Sequence, residues 1–214
     1  MHPMKLYLFP ASPNALKPNV VAYHVGSKLE RVIIDLRKGE QKTPEFLKLN
    51  PNGKMPLLVD GDFKLWESSA IMAYLAHQAK SPLWPTAPQP QADVMRWLSW
   101  ELAHWGPAAT ILIRENLVKK LFSGADPDPA EVARGLELFR QLAAILNDHL
   151  RGRVYVVGNA LTIADYALAA TLLLSKPAGI PVAEFSNIEA WFDRIAAEPA
   201  WQQAVEDGNK AMAG

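Results

Sequence analysis

Short apolar runs separated by turn residues dominate the first third of the chain. Residues 6–9, 31–36, 56–59 and 63–66 are such runs, and branched or aromatic side chains are frequent in them. Runs of this length and composition are typical of β-strands. From residue 93 onward, apolar residues recur every three or four positions over long stretches, which indicates helices. The pattern predicts an α/β domain followed by an all-helical domain.

Helix signals lie between the predicted strands. Residues 20–26 predict a first helix that ends at a glycine. Thr43-Pro44 predicts the start of a second helix, because proline is favoured at the first helical position. Ser68 or Ser69 is predicted to cap a third helix.

A turn and a proline-rich stretch define the predicted domain limits. Asp60-Gly61-Asp62 lies between the last two predicted strands, and an Asp-Gly pair in that position is a strong hairpin signal. The first domain is therefore predicted to have the order β-α-β-α-β-β-α over residues 4–80. Prolines occupy four of the positions from 82 to 90, which a helix interior does not tolerate. Residues 81–91 are predicted to be a linker and residues 92–214 the helical domain.

Four helices are predicted in the helical domain, the last of which opens at residues 187–191 and is broken near Pro199; the other three have distinct patterns. The first covers residues 93–121, and we expect a kink at its Gly106-Pro107 step. The second is amphipathic and covers residues 132–150. The third is apolar nearly all round from Ile163 onward, so it is predicted to be buried. Thr162 and Asp165 have the spacing of a capping box at its start.

Composition excludes several classes of function. Lysine plus arginine and aspartate plus glutamate both number 22, so charge gives no reason to expect nucleic acid or a membrane as a partner. The chain has no cysteine, which excludes disulfides, thiolate metal sites and a Cys-x-x-Cys redox pair within it. Neither a membrane span nor a signal peptide is evident, which predicts a cytoplasmic protein. Met4 is predicted to be the natural start, preceded by an added segment at residues 1–3.

Three polar loops lie where predicted strands and helices meet. They are Ser12-Pro13-Asn14, the loop at residues 52–56, and Glu67-Ser68-Ser69. Ligands of open α/β sheets often bind at such ends. The three loops are therefore the candidate functional region.

The residues in and around these loops resemble the cytosolic glutathione transferases over essentially the whole chain. The most specific stretches are NPNGKMPLLVDG at residues 50–61, LWESSAI at residues 65–71 and NALTIADY at residues 159–166. The first loop is similar to that of serine-type members, bacterial ones among them, with N-terminal motifs like those of the phi, theta and nu classes. The resemblance implies a thioredoxin-like N-terminal domain joined to an all-helical C-terminal domain.

The resemblance also implies how glutathione would be bound. In the family the bond corresponding to Met55-Pro56 is cis, so that the Met55 N–H and C=O can pair with the peptide. A trans proline that opens an edge strand is the alternative from the sequence alone. Glu67 is implied to hold the γ-glutamyl ammonium, and Ser68 the γ-glutamyl carboxylate at a helix N-terminus. Simple N-capping is the alternative for Ser68.

Three further side chains are candidates for the glycyl end of glutathione. Lys54 and Lys42 are candidates for its carboxylate, and Gln41 matches a position that contacts this end in related classes. A solvated surface lysine is the alternative for Lys42.

Ser12 and Asn14 are the catalytic candidates. The reactive form of a thiol is the thiolate, and a free thiol has a pKa of about 8.5. A hydroxyl aimed at sulfur near a helix N-terminus favours the anion, so Ser12 is predicted to stabilise the glutathione thiolate. The resemblance leaves Asn14 open as a second or alternative donor. Pro18 departs from the family pattern, and it predicts a helix start near Lys17 with a longer loop before it.

The resemblance implies a pocket for the electrophile that is lined by residues of the helical domain. The candidates are Trp97, Trp100, His104, Trp105 and Thr110. Their spacing places Trp97, Trp100 and His104 on one helix face. Core packing or a dimer interface is the alternative, since aromatic stripes at helical spacing usually have that role.

The resemblance implies a glutathione S-transferase that conjugates small hydrophobic electrophiles, with glutathione as co-substrate, no tightly bound cofactor and no metal. It also implies a homodimer. Two alternatives stay open: a glutathione-dependent peroxidase or disulfide reductase of the same fold, and a non-catalytic glutathione-binding or ligand-binding module. Fold alone does not separate them.

Overall fold

The computed structural model of the protein describes residues 4–213. The predicted added segment at residues 1–3 therefore lies outside the described residues. Packing divides the chain into two compact units. One unit contains the residues through Trp84 together with those from Ala197 onward, and the other is Pro85–Ala196.

In chain order the helices and strands are β1 (Met4–Leu8), α1 (Pro13–His24), β2 (Leu29–Ile33), α2 (Pro44–Leu49), β3 (Leu57–Asp60), β4 (Phe63–Trp66), α3 (Ser68–Gln78), α4 (Pro88–Trp100), α5 (Gly106–Ile113), α6 (Lys119–Ser123), α7 (Pro129–His149), α8 (Ile163–Thr171), α9 (Ser175–Ala178), α10 (Ser186–Ala196) and α11 (Pro199–Ala213). Single turns of 3₁₀-helix cover Glu40–Lys42 and Val182–Glu184, and π-helical turns cover Glu101–Trp105 and Arg114–Val118. No helix among residues 4–213 has the length and apolar character needed to cross a membrane.

The four strands form one mixed sheet in the order β2-β1-β3-β4. β1 and β2 are parallel, whereas β3 is antiparallel to both of its neighbours. The predicted hairpin at Asp60-Gly61-Asp62 is confirmed, because β3 and β4 pair up to Asp60 and Phe63 across it. Gly61 has φ of +59°, which a glycine adopts without strain. The predicted order of the N-terminal domain and its thioredoxin-like class are confirmed.

Alternation along the strands gives the sheet two buried faces. On one face, Leu57 packs with Ile34 and with Phe46 of α2. The Tyr7 ring meets Phe46 edge-on, with 6.1 Å between ring centroids, so Tyr7 belongs to this packing. On the other face Leu6 and Leu58 are fully buried, and α3 contacts β3 and β4 while α1 packs along α3.

The start of α1 differs from the prediction. The helix begins at Pro13 with Ser12 as its N-cap, so that Pro18 lies inside the helix. The prediction of a start near Lys17 and a longer loop is therefore wrong. Pro18 has no N–H to donate to the Asn14 carbonyl, a local cost. Eight consecutive residues of α1 are buried around it, and burial of this extent offsets the lost hydrogen bond.

The proline-rich stretch also differs from the prediction. α4 begins at Pro88, within the predicted linker at residues 81–91. Pro88 and Pro90 fit because they occupy the first turn, where a missing N–H costs nothing. The predicted helical domain at residues 92–214 likewise differs from the compact units, since α11 packs against α1 and belongs with the first unit.

α11 is attached to α1 by polar and close backbone contacts. The Tyr23 hydroxyl donates a hydrogen bond to Asp207 of α11. Burial, the hydrogen bond and the Asp207 charge raise the pKa of Tyr23 to about 12, against the opposing charge of Arg31. A β-carbon on Gly208 would lie 3.3 Å from the Pro10 carbonyl oxygen. α11 therefore packs directly against the loop that precedes Ser12.

In the helical unit, the predicted capping box at the start of α8 is confirmed. The Asp165 carboxylate is fully buried and accepts hydrogen bonds from the Val156 N–H at 2.8 Å, the Thr162 N–H at 2.9 Å and hydroxyl at 3.1 Å, and the Trp191 indole at 3.0 Å. Burial raises the pKa of Asp165, and the donated hydrogen bonds oppose that rise. One side chain thus joins a loop, the start of α8 and α10.

Replacing Asp165 should strongly destabilise the protein. Asp165→Ala leaves the buried Val156, Thr162 and Trp191 donors without their acceptor, at a cost of about 3 kcal/mol or more in the free energy of unfolding. Denaturant unfolding measures this. Asp148→Ala is the matched control, since the Asp148 side chain is 73% exposed, and it should change stability by less than about 0.5 kcal/mol. Equal losses in the two variants would contradict the role given to Asp165.

Candidate active site

The register of the sheet brings the three polar loops to one end. Tyr7 pairs with Leu57, and Leu57 pairs with Trp66. The carboxyl ends of β1 and β4 therefore flank the amino end of β3. Ser12 follows β1, the loop at residues 52–56 precedes β3, and Glu67 follows β4, so all three loops lie at the same edge of the sheet.

Ser12 occupies the N-cap position of α1 without capping the helix. Its backbone carbonyl accepts hydrogen bonds from Ala15 and Leu16, both at 3.0 Å. Its side chain accepts no hydrogen bond from the helix N-terminus, so the hydroxyl is not used for capping. Pro13 has no N–H, and the Asn14 N–H makes no hydrogen bond among residues 4–213. The helix start therefore presents a hydroxyl and an open N–H group.

The Asn14 side chain is exposed at this helix start. Its Oδ1 accepts a hydrogen bond of 2.9 Å from the Lys17 ammonium. Lys17 is only 2% exposed. Sequence reasoning did not single out Lys17 as a site residue, although its spacing from Asn14 places the two on one helix face.

The Met55-Pro56 bond is cis, as the resemblance implies, and the trans alternative is wrong. The Met55 side chain packs against the core formed by Ile34, Phe46 and Leu57. Within the part of the chain that the structure describes, neither the N–H nor the C=O of Met55 makes a backbone hydrogen bond. Both groups are therefore open to an extended peptide.

Asn50 organises the loop before this bond, a role that sequence reasoning missed. Asn50 is only 1% exposed. Its amide donates to the Lys54 carbonyl at 2.7 Å, and its Oδ1 accepts from the Asn52 backbone N–H at 3.1 Å and side-chain amide at 3.0 Å. A buried asparagine with three satisfied hydrogen bonds fixes a loop strongly. Its only sequence signal was its place at the start of the motif NPNG.

Gln41 and Lys42 meet the same loop at Gly53. A β-carbon on Gly53 would lie 2.9 Å from the Lys42 Nζ and 3.0 Å from the Gln41 carbonyl oxygen. The Gln41 Oε1 is buried and has no hydrogen-bond partner in residues 4–213. An unpaired buried polar atom is unusual, which keeps Gln41 a candidate for ligand binding. The structure thus brings the candidates for the glycyl end together with the loop that carries Lys54, whose own side chain is exposed.

Glu67, and not Ser68 or Ser69, is the N-cap of α3, so the predicted serine cap is wrong. Glu67 has φ of +74°, which is uncommon for a residue with a side chain, and residues in such backbone conformations cluster at functional sites. The N–H groups of Ser68, Ser69 and Ala70 make no hydrogen bond among the described residues. This helix start is able to accept an anion.

The aromatic candidates of the helical unit separate into two groups. Trp105 is fully buried, its indole donates to the Leu168 carbonyl at 3.2 Å, and its ring packs on Phe139. Trp97 is also buried and packs on Trp100 and His149. These contacts favour the core alternative for Trp97 and Trp105.

His104 and Thr110 are exposed, and Trp100 is half-buried. Trp97 and His104 therefore do not share a face, contrary to the prediction. The cause is the π-helical turn Glu101–Trp105, which adds a residue and rotates the following side chains relative to a regular α-helix. Across residues 4–213, no cluster of three or more histidine, aspartate or glutamate side chains could hold a metal ion.

Two family models match the chain. The one described as "Glutathione S-transferase, N-terminal domain" matches residues 2–77, and the one described as "Glutathione S-transferase, C-terminal domain" matches residues 111–199. The first covers all three polar loops described above.

Individual proteins are similar over nearly their whole length. "Glutathione S-transferase 3" of Zea mays is 38% identical, with 96% of this chain and 94% of that protein covered. The solved structure of glutathione S-transferase III in apo form is 38% identical, with a TM-score of 0.85 and 96% of each chain covered. That of glutathione transferase URE2P8 from Phanerochaete chrysosporium with oxidized glutathione is 26% identical, with a TM-score of 0.88 and 99% and 97% covered. With its fold, its cis Met55-Pro56 bond and its matched domains, this chain belongs to the glutathione S-transferase family.

Proposed function

We propose that the protein is a glutathione transferase that stabilises the thiolate of bound glutathione for reaction with small hydrophobic electrophiles. The observation that carries this proposal is the uncommitted Ser12 hydroxyl beside the open start of α1. It lies at the same sheet edge as the cis Met55-Pro56 bond and the open start of α3. Because the chain has no cysteine, the reacting sulfur comes with the substrate.

The energetic demand on this site is modest. Lowering the thiol pKa by two units requires about 2.7 kcal/mol. One hydrogen bond to a charged group contributes about 1.5–3 kcal/mol, and the positive end of the α1 dipole adds to it. The Ser12 hydroxyl, with Asn14 as the second donor, is therefore able to supply the free energy that a two-unit decrease of the thiol pKa requires. Ser12 donates a hydrogen bond to sulfur and is not itself a nucleophile.

The remaining groups would hold the peptide. The open N–H and C=O of Met55 pair with its cysteinyl unit in an antiparallel manner. The N–H groups at the start of α3, with the Ser68 hydroxyl, take the γ-glutamyl carboxylate, and Glu67 takes the ammonium. Lys42 and Lys54 take the glycyl carboxylate. Gln41 contacts the same end, and its unpaired Oε1, which can only accept a hydrogen bond, is available to the glycyl N–H.

In the chemical step the thiolate attacks an electrophilic carbon of the second substrate. A carbon–sulfur bond forms, and a halide leaves or, with an enal, the product carbanion takes a proton. Of the five candidates for the electrophile pocket, Trp100, His104 and Thr110 keep exposed surface. These three are proposed as contacts of the electrophile.

Removing the Ser12 hydroxyl should raise the pKa of bound glutathione. In Ser12→Ala we expect the thiol pKa to rise by about one to two units, the equivalent of one hydrogen bond to an anion. Ser12→Thr keeps a hydroxyl and should restore a low pKa. Titration of the thiolate absorbance of the bound tripeptide measures this. The proposal fails when the wild-type protein leaves the thiol pKa at its free value.

A second candidate function is glutathione-dependent reduction of a disulfide or peroxide. It is favoured by Asn14 beside Ser12 and by the similar URE2P8 structure, which contains oxidized glutathione. With a disulfide, the thiolate attacks one sulfur, the S–S bond breaks and the other sulfur leaves as a thiolate. With a hydroperoxide, it attacks the terminal oxygen, the O–O bond breaks, an alcohol leaves and glutathione sulfenic acid forms. A second glutathione then gives glutathione disulfide and releases a thiol or water. Turnover of aryl halides and enals supports conjugation, turnover of hydroperoxides and mixed disulfides alone supports reduction, and no turnover with intact binding supports a ligand-binding module.

Gly53 and Gly61 offer a matched pair of substitutions. Both have positive φ, +58° and +59°, so that an alanine is strained equally at either position. Only at Gly53 would the new methyl group meet Lys42 and Gln41. We expect Gly53→Ala to raise the Kd for glutathione by about tenfold, or ~1.4 kcal/mol, and Gly61→Ala to leave it unchanged, as measured by calorimetry. Equal Kd values would remove these residues from the glycyl subsite.

A homodimer in the cytoplasm completes the proposal. Phe63 and Trp66 lie on the edge strand β4 and are 48% and 42% exposed. The two side chains are three positions apart in the strand and point to opposite faces of the sheet. Exposed large aromatic side chains on an edge strand favour burial in an interface. Light scattering should give twice the mass of the chain, and Trp66→Glu should reduce it to the mass of the monomer. A monomeric wild-type protein would exclude the dimer.

A further inference from the structure

Lys17 is an unusual residue for its position. It is 2% exposed, although lysine is almost never buried in proteins, since its charge must leave water. It also lies in the first half of α1, where the helix dipole disfavours a cation. Residues that break local rules in this way are expected at functional sites. Its ammonium donates a hydrogen bond of 2.9 Å to the side chain of Asn14, which is one of the two catalytic candidates.

This hydrogen bond determines how the Asn14 amide is oriented. A lysine ammonium has donors only, so the group that faces it must be the amide oxygen. The amide NH₂ group, which has only donors, must then face away from Lys17. Asn14 is exposed, and its NH₂ group makes no hydrogen bond in the described part of the chain. Lys17 therefore leaves the two N–H donors of the Asn14 amide oriented at the start of α1, two positions after Ser12 in the chain.

The same contact strengthens that donor. An amide whose oxygen accepts a hydrogen bond from a cation is polarised, and hydrogen bonds in such a chain strengthen one another by about 10–30% each. A hydrogen bond donated to the thiolate favours the charged form of the thiol, and a stronger donor favours it more. The buried charge of Lys17 is thus transmitted to the exposed NH₂ group of Asn14.

We propose that Lys17 is a positioning residue of the active site: it fixes and polarises the Asn14 amide so that its NH₂ group donates to the glutathione sulfur. This inference rests on the proposed function, since it needs a bound thiolate. Lys17 does not touch the substrate. It acts through Asn14, so that its contribution disappears when Asn14 is absent.

A double-mutant cycle tests the proposal through the pKa of bound glutathione. Lys17→Met keeps the length of the side chain and removes its charge, and we expect the thiol pKa to rise by about one unit. Asn14→Ala should give a similar rise, and Lys17→Met in the Asn14→Ala background should add nothing. Lys17→Arg keeps a cationic donor and should stay close to the wild type. Lys28→Met, at an exposed lysine that follows α1, makes the same change in net charge and should have no effect.

Two further readouts separate positioning from a purely structural role. The Kd for S-methylglutathione, which cannot form a thiolate, should be unchanged in Lys17→Met, while the pH profile of kcat/KM moves upward with the thiol pKa. An unshifted pKa with a lowered Tm would identify Lys17 as structural and overturn the proposal. Additive shifts in the cycle would also overturn it, since Lys17 would then act on sulfur independently of Asn14.

A Lys17 variant that does not fold and an unexpected thiol pKa in the wild-type protein each lead to a defined conclusion. If Lys17→Met does not fold, Lys17→Gln is measured, because glutamine still has a donor but no charge. It should show part of the rise, and a wild-type pKa in it would overturn the proposal. A wild-type protein that leaves the thiol pKa at its free value contradicts the proposed function itself. A lowered wild-type pKa that is insensitive to both Lys17 and Asn14 contradicts only the inference about Lys17.

Discussion

The antiparallel pairing of β3 between β1 and β4 is the constraint on which the candidate site depends. It reverses the chain direction in the middle of the sheet, so that the segments after β1 and β4 and the segment before β3 all emerge at one edge. A slip of one residue would exchange the buried faces of Leu57 and Leu58. Because both faces are covered by apolar side chains, the register is strongly determined. The loops themselves can then be polar and open, since the sheet holds them in place.

Features that depend on neighbouring residues were predictable from the sequence. The hairpin at Asp60-Gly61 needs only a turn between two apolar runs, and the capping box of Thr162 and Asp165 needs only two side chains three positions apart. Both are present. The cis bond before Pro56 was accessible only through family resemblance, because most proline bonds are trans.

Features that depend on distant packing were not predictable. Pro18 locally favours a later helix start. The burial of the surrounding residues of α1 stabilises the helix enough for it to continue through Pro18. The π-helical turn at Glu101–Trp105 changes which side chains share a face. The spacing of apolar residues in the sequence does not predict such a turn. Asparagine is common in loops and lysine is common in helices, so Asn50 and Lys17 do not stand out in the sequence. Their importance follows from their burial, 1% and 2% exposed, which only the folded chain reveals.

The packing of α11 against α1 links the two ends of the chain. The sheet and its first three helices are made from the first 84 residues, but the residues that cover α1 come from Ala197 onward. Synthesis adds about 5–20 residues per second. One side of α1 therefore stays uncovered for several seconds after the first 84 residues have been made. Folding of the thioredoxin-like part is completed only when the last helix leaves the ribosome, although its sheet can form much earlier. A gene fragment cut at the end of α3 would encode the binding loops without the helix that supports them.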